Sequence, residues 1–200
     1  MRIAVFVSGR GSNLKAILDS PELKNLVSVD AVVSNKQDCH AFKIAESFSI
    51  PVFCIGKQEG CYSYQEILNL LNSSGISLVV LAGYLKMIPD FFVKSFRNRI
   101  INIHPALLPS FGGKGMYGLN VHKAVFESSA QVSGATVHFV DENYDSGKII
   151  AQRCVDISGV KSAEEIAERV LKTEHQLLPF VIKKFAEGKV RIINSRVEVL

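Results

Sequence analysis

Short apolar runs of strand length alternate with segments of helical periodicity through the first half of the chain, and this alternation constrains the fold more than any other feature. The predicted strands are residues 3–7, 29–33, 52–55, 77–82 and a run that ends at His104. The predicted helices start at Ser12, cover residues 42–48 and 63–72, and follow Pro89. Continuously apolar runs such as Leu-Val-Val-Leu are typical of parallel strands covered on both faces. The pattern predicts a parallel sheet built from βα units.

The second half of the chain departs from this alternation. Its predicted elements are a helix over residues 121–128, strands over 135–140 and 149–155 that pair antiparallel, a helix over 163–186, and a terminal hairpin formed by 190–193 and 197–199. Ser162 with Glu165 three positions on marks the start of the long helix, and Gly188 marks its end. The expected fold class is α/β, a three-layer, mostly parallel twisted sheet with helices on both faces and antiparallel strands toward the C-terminal part.

Size and charge narrow the function classes. The sequence has 200 residues, of which 48% are hydrophobic, so we expect a single domain over residues 1–200 with one core. The net charge of +4 is mild and the basic residues are scattered, which argues against a nucleic-acid partner and fits small anionic ligands. No apolar segment approaches the roughly 20 residues of a membrane span, so we expect a cytoplasmic protein with no membrane partner.

Neither the cysteines nor the other histidines form a recognisable metal motif. We interpret the four cysteines as reduced, mostly packed thiols: Cys39, Cys54, Cys61 and Cys154. Four histidines have no ligand-like spacing and are given no role: His40, His122, His138 and His175. The sequence therefore predicts no metal.

Asn102 and His104 are two polar side chains in the last predicted strand of the parallel series. Because side chains alternate along a strand, both point to one side, while Ile101 and Ile103 take the packed side. Pro105 holds His104 extended at the strand end. A carboxamide and an imidazole directed at one spot can stabilise an oxyanion and move a proton. The alternative is a satisfied polar pair at a strand end.

A glycine turn, Ser-Gly-Arg-Gly-Ser-Asn at residues 8–13, joins the first strand to the first helix. Its glycines let the backbone approach a ligand, and the helix start presents free N–H groups, which together make an anion site. Leu14 stands where the dinucleotide fingerprint needs its third glycine. What remains suits one phosphate, with Ser12 and Asn13 adding hydrogen bonds and one of them capping the helix. The alternative is a tight connection without a ligand.

The connection between the two antiparallel strands contains three carboxylates, Asp141, Glu142 and Asp145. Asp145 is best placed to orient His104, because the turn into the next strand can hold its side chain inward. A carboxylate there is expected to raise the imidazole pKa and favour the imidazolium. The alternative is a solvated turn aspartate.

Several motifs occur in a fixed order that spans almost the whole chain. They are Ser8-Gly9-x-Gly11-Ser12-Asn13, Leu81-Ala82-Gly83-Tyr84-Leu85-Lys86, Asn102-Ile103-His104-Pro105-x-Leu107-Leu108-Pro109, His138-Phe139-Val140 through Asp145-x-Gly147, and Glu174-His175. Together they resemble the phosphoribosylglycinamide formyltransferases. The resemblance implies a Rossmann-like formyltransferase fold and transfer of the formyl group of 10-formyltetrahydrofolate, a co-substrate, to the amine of glycinamide ribonucleotide in de novo purine (IMP) biosynthesis.

The same resemblance implies a role for each motif residue. The catalytic residues would be Asn102, His104 and Asp145. The substrate-binding residues would be Gly11, Ser12 and Asn13, around the phosphate, and Glu174, at the ribonucleotide. The folate-binding residues would be Leu85, Lys86, Met87, Ile88, Asn102, Val140 and Asp141. It further implies a cis bond between Leu108 and Pro109, small-molecule substrates only, no metal, and a monomer or homodimer.

The expected mechanism follows from the catalytic residues. The neutral amine attacks the formyl carbon, and Asn102 with protonated His104 receives the negative charge that develops on oxygen. Asp145 keeps His104 charged and helps to move the amine proton, through a water, toward the departing folate nitrogen.

Three other functions are weighed against this one. Formyl transfer to initiator methionyl-tRNA uses a similar trio, but we expect a further tRNA-binding domain in such enzymes. Formyltetrahydrofolate hydrolase is close in chemistry, but its relatives carry an extra N-terminal regulatory domain. A catalytically silent nucleotide-binding module would not need Asn102, His104 and Asp145 together.

Overall fold

The computed structural model describes all 200 residues. Its helices are α1 (Ser12–Asp19), α2 (His40–Ser47), α3 (Tyr64–Ser73), α4 (Asp90–Ser95), α5 (Leu119–Glu127) and α6 (Ala163–Ala186). Its strands are β1 (Arg2–Val7), β2 (Ser28–Ser34), β3 (Val52–Cys54), β4 (Leu78–Leu81), β5 (Ile100–His104), β6 (Val132–Phe139), β7 (Ile149–Asp156), β8 (Val190–Ile193) and β9 (Arg196–Val199). Each helix and strand predicted from the sequence is present.

The first compact unit of the chain, Met1–Asn102, contains a parallel sheet. Its strands follow the order β3-β2-β1-β4-β5, and each neighbouring pair is parallel. The central strand β1 is fully buried after its first residue, and Val5 pairs with Val32 on one side and Val80 on the other. Parallel strands bring their carboxyl ends to one edge, so the turns that follow β1 and β4 emerge at that edge.

The second compact unit, Ile103–Leu200, starts within β5 and continues the sheet in the order β5-β6-β7. Strands β6 and β7 pair antiparallel, with Ala135 opposite Arg153, and β8 and β9 form a separate antiparallel hairpin. A mostly parallel, seven-stranded mixed sheet with six helices confirms the predicted fold class. That residues 1–200 act as one domain stays a prediction.

An aromatic cluster packs α4 against the central strand. Phe92 is fully buried, and its ring centroid lies 5.9 Å from that of Phe6, 5.5 Å from that of Phe96 and 6.1 Å from that of Tyr64. Tyr84 extends the cluster with a ring 5.4 Å from that of Phe6. Edge-to-face and stacked arrangements at these distances add to the stabilisation from burial alone.

Helix α6 begins and ends at the predicted signals. The hydroxyl of Ser162 accepts the Glu165 N–H at 3.3 Å, whereas the Glu165 carboxylate accepts the N–H of Lys161 at 3.1 Å, so only half of the expected reciprocal cap forms. Gly188 follows the helix with a φ of 67°, a left-handed conformation that glycine adopts without strain. None of the helices combines the length and apolar character needed to cross a bilayer.

The prediction that all four cysteines are reduced is wrong for Cys54 and Cys61, which form a disulfide. The loop after β3 folds back, and Ile55 makes an isolated bridge with Tyr62, which brings the two sulfur atoms together. The sequence contains no motif that signals this closure, because it depends on the path of the loop. The free cysteines are Cys39, which is buried, and Cys154, which is exposed.

His122 is a buried histidine on α5, 6% exposed. Its Nδ1 has no hydrogen-bond partner. Burial first, and then the proximity of His104, lower the pKa of His122 to about 4. The fold therefore favours the neutral imidazole at this position.

Replacing Phe92 with alanine should lower the free energy of unfolding by about 3–5 kcal/mol, because the change removes a fully buried ring and leaves a cavity. Urea unfolding followed by circular dichroism measures the loss. Phe91 is the matched control, since it neighbours Phe92 on α4 but is 44% exposed. Phe91→Ala should stay within about 0.5 kcal/mol of the parent. Equal losses in both variants would contradict the packing described above.

His122 should make stability depend on pH between its ordinary pKa of 6.5 and its folded value of about 4. In that window the unfolded chain binds the proton more tightly than the folded one, so the stabilisation is complete above about 6.5 and is lost as the pH falls toward about 4. Urea midpoints across this range should fall less steeply for His122→Gln than for the parent. His40→Gln, at an exposed histidine, should keep the parental slope. An unchanged slope in His122→Gln would refute the assignment.

Candidate active site

The carboxyl end of β5 carries Asn102 and His104, the two polar residues of that strand. His104 is 3% exposed, and Asn102 is half-buried. Because side chains of a strand alternate, the two share one face, as the sequence predicts. In the loop that follows, the bond between Leu108 and Pro109 is cis, which confirms that expectation.

Asp145 lies in the turn between β6 and β7, with its Oδ2 3.6 Å from Nδ1 of His104. Its φ of 52° is left-handed, and the Gly113 N–H donates to the same Oδ2 at 2.9 Å. A Cβ at Gly147 would lie 1.8 Å from the carbonyl oxygen of Phe139, so only glycine permits this close return of the chain. The backbone therefore directs the Asp145 side chain toward His104 rather than into solvent.

The turn that carries Asp145 is organised by another carboxylate of the same connection. Oδ1 of Asp141 accepts the Asn143 N–H at 3.0 Å and the Ser146 hydroxyl at 2.8 Å. Asp141 and the preceding Val140 are both half-buried. The Asp141 carboxylate is therefore engaged within the turn itself.

The ring of His104 is held by a hydrogen bond at one nitrogen, while the other nitrogen faces Asp145. Its Nε2 lies 2.9 Å from the carbonyl oxygen of Phe111, and a carbonyl only accepts, so Nε2 carries the proton of the neutral ring. Nδ1, which faces Asp145, is then the basic position. A proton that reaches Nδ1 forms an imidazolium beside a carboxylate, which stabilises it.

The expected rise in the pKa of His104 is wrong. Burial is the largest influence and lowers its pKa below the ordinary value, although Asp145 and the carbonyl of Phe111 act in the opposite direction. For Asp145, burial raises the pKa most, but contacts with His138 and Gly113 and the charge of His104 outweigh it and lower the pKa. The protein without substrate therefore favours a neutral imidazole beside an ionised carboxylate.

Two histidines that the sequence analysis left without a role lie in this cluster. Nε2 of His138 is 3.6 Å from Oδ1 of Asp145. The proximity of His104 lowers the pKa of His122 on α5. His138 could have been identified from the sequence by its position near the end of a strand that leads into the Asp145 turn. The alternation of faces could not be followed there, because the β6–β7 register shifts between Val137 and His138.

The glycine turn after β1 leads directly into α1. Gly11 is the N-cap with a φ of 79°, and a Cβ there would lie 2.7 Å from Cβ of Ala41. Both the left-handed backbone and the close contact therefore require glycine at this position. No side chain caps the helix, and the expectation that Ser12 or Asn13 does so is wrong. The left-handed Gly11 already turns the chain into the helix. Asn13 is buried, and Ser12 is half-buried.

The segment after β4, residues 85–88, exposes two large apolar side chains at the carboxyl edge of the parallel sheet. Leu85 is 46% exposed and Met87 44% exposed, whereas Ile88 is buried and Lys86 is exposed. The N–H of Leu85 donates to the Ser8 hydroxyl at 2.9 Å, which ties this segment to the end of β1. Exposed apolar side chains on a fixed backbone provide surface for an apolar ligand.

Among the predicted site residues, the structure brings His104 and Asp145 together and places Asn102 beside His104 along β5. Glu174 is buried on α6, in the second unit, whereas the Gly11 turn belongs to the first. No group of three or more histidine, cysteine or acidic side chains is arranged to hold a metal ion.

Known proteins with a similar sequence or structure agree on one family. The family model described as formyl transferase matches residues 1–182. The phosphoribosylglycinamide formyltransferase of Haemophilus influenzae is 35% identical over 97% of this chain and 91% of its own length. The chloroplastic enzyme of Arabidopsis thaliana is 45% identical over 95% of this chain and 67% of its own length.

A solved structure supports the same family. The crystal structure of phosphoribosylglycinamide formyltransferase from Anaplasma phagocytophilum superimposes with a TM-score of 0.90 at 33% identity, covering 100% of this chain and 94% of that one. The chain therefore belongs to the formyl transferase family.

Proposed function

We propose that this protein transfers the formyl group of 10-formyltetrahydrofolate to the amine of glycinamide ribonucleotide, giving formylglycinamide ribonucleotide and tetrahydrofolate in de novo purine biosynthesis. The observation that carries the proposal is the pair formed by buried His104 and Asp145 at the end of β5, in a chain whose relatives bear the name of this transferase. The whole chain, residues 1–200, would act as one formyltransferase domain.

Asn102, His104 and Asp145 would perform the transfer. Asn102 donates a hydrogen bond to the formyl oxygen as negative charge develops there. His104, neutral beforehand because burial lowers its pKa, takes up the amine proton at Nδ1 and becomes an imidazolium. Asp145 stabilises that cation, and the proton then passes to the leaving nitrogen.

The Nε2–H of His104 is the second donor available for the developing oxyanion. In the structure it is bonded to the carbonyl oxygen of Phe111. Substrate would have to displace that carbonyl before the imidazolium can donate to the formyl oxygen. The loop of residues 110–118, rich in glycine, suits such a movement.

The proposed substrate-binding residues would contact different parts of the ribonucleotide. Gly11, Ser12 and Asn13 would hold the phosphate, because the start of α1 presents backbone N–H groups and the positive end of a helix dipole. Glu174, a buried residue of α6, would contact the ribonucleotide, because a carboxylate can accept hydrogen bonds from hydroxyl groups.

10-Formyltetrahydrofolate would supply the activated formyl group as a co-substrate. The pterin would lie against Leu85 to Ile88, where exposed Leu85 and Met87 provide apolar surface and the backbone provides hydrogen bonds. Lys86, Asn102, Val140 and Asp141 complete the proposed folate contacts. The reaction needs no metal and no covalent intermediate with the enzyme.

The proposed partners are small molecules only, and the proposed assembly is a monomer or homodimer. A cytoplasmic location is part of the same proposal. The Haemophilus influenzae and Bacillus subtilis relatives are bacterial proteins, whereas the plant relatives are named chloroplastic.

A steady-state assay should show turnover that depends on both 10-formyltetrahydrofolate and glycinamide ribonucleotide. The folate absorbance change reports the rate, and mass spectrometry of the ribonucleotide reports the product. Reactions with water alone and with methionyl-tRNA separate this function from the hydrolase and the tRNA formyltransferase. No dependence on the ribonucleotide, or an equal rate without it, would overturn the proposal.

Asp145→Asn should abolish turnover, because the amide keeps the shape of the side chain but cannot stabilise the His104 imidazolium. Binding of glycinamide ribonucleotide, measured by calorimetry, should be largely preserved. Glu142→Gln is the matched control, since Glu142 is a half-buried carboxylate of the same turn, and it should keep parental activity. An active Asp145→Asn enzyme would contradict the assigned role.

A further inference from the structure

His138 lies near the end of β6, where its side chain is 2% exposed. The β6–β7 register shifts between Val137 and His138, and such a bulge redirects the side chain beside it. Nδ1 of His138 is 2.8 Å from the carbonyl oxygen of Phe139, and since a carbonyl only accepts, Nδ1 donates. The ring is thus anchored to its own strand, and Nε2, which faces Asp145, carries a hydrogen that it can donate when the ring is an imidazolium.

The two oxygens of Asp145 face different histidines. Oδ1 lies 3.6 Å from Nε2 of His138, and Oδ2 lies 3.6 Å from Nδ1 of His104. The far nitrogen of each ring is bonded to a backbone carbonyl, that of Phe139 for one and that of Phe111 for the other. The carboxylate is therefore held between two fixed imidazoles.

We propose that His138 is a positioning residue for the formyl transfer: it holds the Asp145 carboxylate toward His104 and competes with His104 for interaction with that carboxylate. The inference rests on the proposed function for its catalytic consequence. The geometry on which it stands, one carboxylate between two imidazoles, is independent of the substrate.

The electrostatics of the cluster support the competition. The charged and titratable groups that face one another are Asp145 from the β6–β7 turn, His104 from β5, His138 from β6 and His122 from α5. His138 lowers the pKa of Asp145, and it is among the influences that lower the pKa of His104 after burial. Removing His138 removes one of the influences that lower the pKa of His104, so that pKa should rise.

Kinetics of His138→Phe and His138→Gln test the positioning role. Phenylalanine fills the volume but cannot donate, so kcat should fall roughly tenfold or more while KM for the ribonucleotide stays within about twofold. Glutamine keeps an N–H near the Nε2 position, so it should recover most of the lost kcat. Ser133→Ala is the control, because Ser133 is equally buried on β6 and has no hydrogen-bond partner for its hydroxyl. It should retain parental kinetics.

Titration of the histidine rings by NMR gives a readout that does not use activity. The pKa of His104 should be higher in His138→Phe than in the parent. Should that variant fail to fold, the parent and Asp145→Asn suffice: because the carboxylate faces both rings, loss of its charge should change the ring chemical shifts of both His104 and His138.

The outcomes separate the two proposals. A parental enzyme without ribonucleotide-dependent turnover overturns the proposed function. An active parent whose kcat is unchanged in His138→Phe, or whose His138 signals do not respond to Asp145→Asn, overturns the role of His138 alone. Equal loss in His138→Phe and His138→Gln also overturns it, because the donor would then be irrelevant.

Discussion

The position of one carboxylate, that of Asp145, is the constraint on which the proposed chemistry of this protein depends. A left-handed backbone conformation, a hydrogen bond from the Gly113 N–H and the close return of the chain at Gly147 together fix it. None of the three involves substrate, so the side chain faces His104 before any ligand arrives. A group that is already in place needs no reorganisation as charge develops, which is where preorganised sites gain most of their effect.

Burial and charge act against each other at His104. Burial lowers its pKa more than Asp145 raises it, so the free protein keeps a neutral ring whose basic nitrogen faces a carboxylate. This balance suits a residue that must first accept a proton and then release it. If Asp145 prevailed strongly, the imidazole would be protonated beforehand and would have no capacity as a base. In the proposed mechanism, the lowered pKa of His104 therefore means that the imidazolium forms during the reaction rather than beforehand.

The sequence predicted the architecture because the periodicity of each segment is local information. The runs that became β1 and β4, and the amphipathic pattern that became α6, carry their secondary structure in their own residues. The three proposed catalytic residues could also be named from the sequence. Asn102 and His104 follow from the alternation of side chains in one strand, and Asp145 follows from its position in a turn. The order of motifs supplied the family, which the comparisons confirm.

What the sequence could not predict depends on tertiary placement. The Cys54–Cys61 disulfide requires the path of a loop, and the lowered pKa of His104 requires knowledge of how deeply the ring is buried. The proximity of His138 to Asp145 could not be predicted, because the register shifts just before His138 and strand alternation no longer indicates which face its side chain takes. Gly11 is the N-cap residue of α1, and its left-handed conformation completes the turn without a capping side chain.

In the second unit, His104 and His138 lie near the ends of strands, because a buried polar side chain needs a hydrogen-bond partner. A histidine inside a covered strand would find no free donor or acceptor, since the sheet uses the backbone groups of its neighbours. At the ends of β5 and β6, loop carbonyls are still available, and those of Phe111 and Phe139 satisfy one nitrogen of His104 and one of His138. Each ring then has one nitrogen left, and both of these nitrogens face the same aspartate. The backbone thus fixes both rings and turns one nitrogen of each toward Asp145.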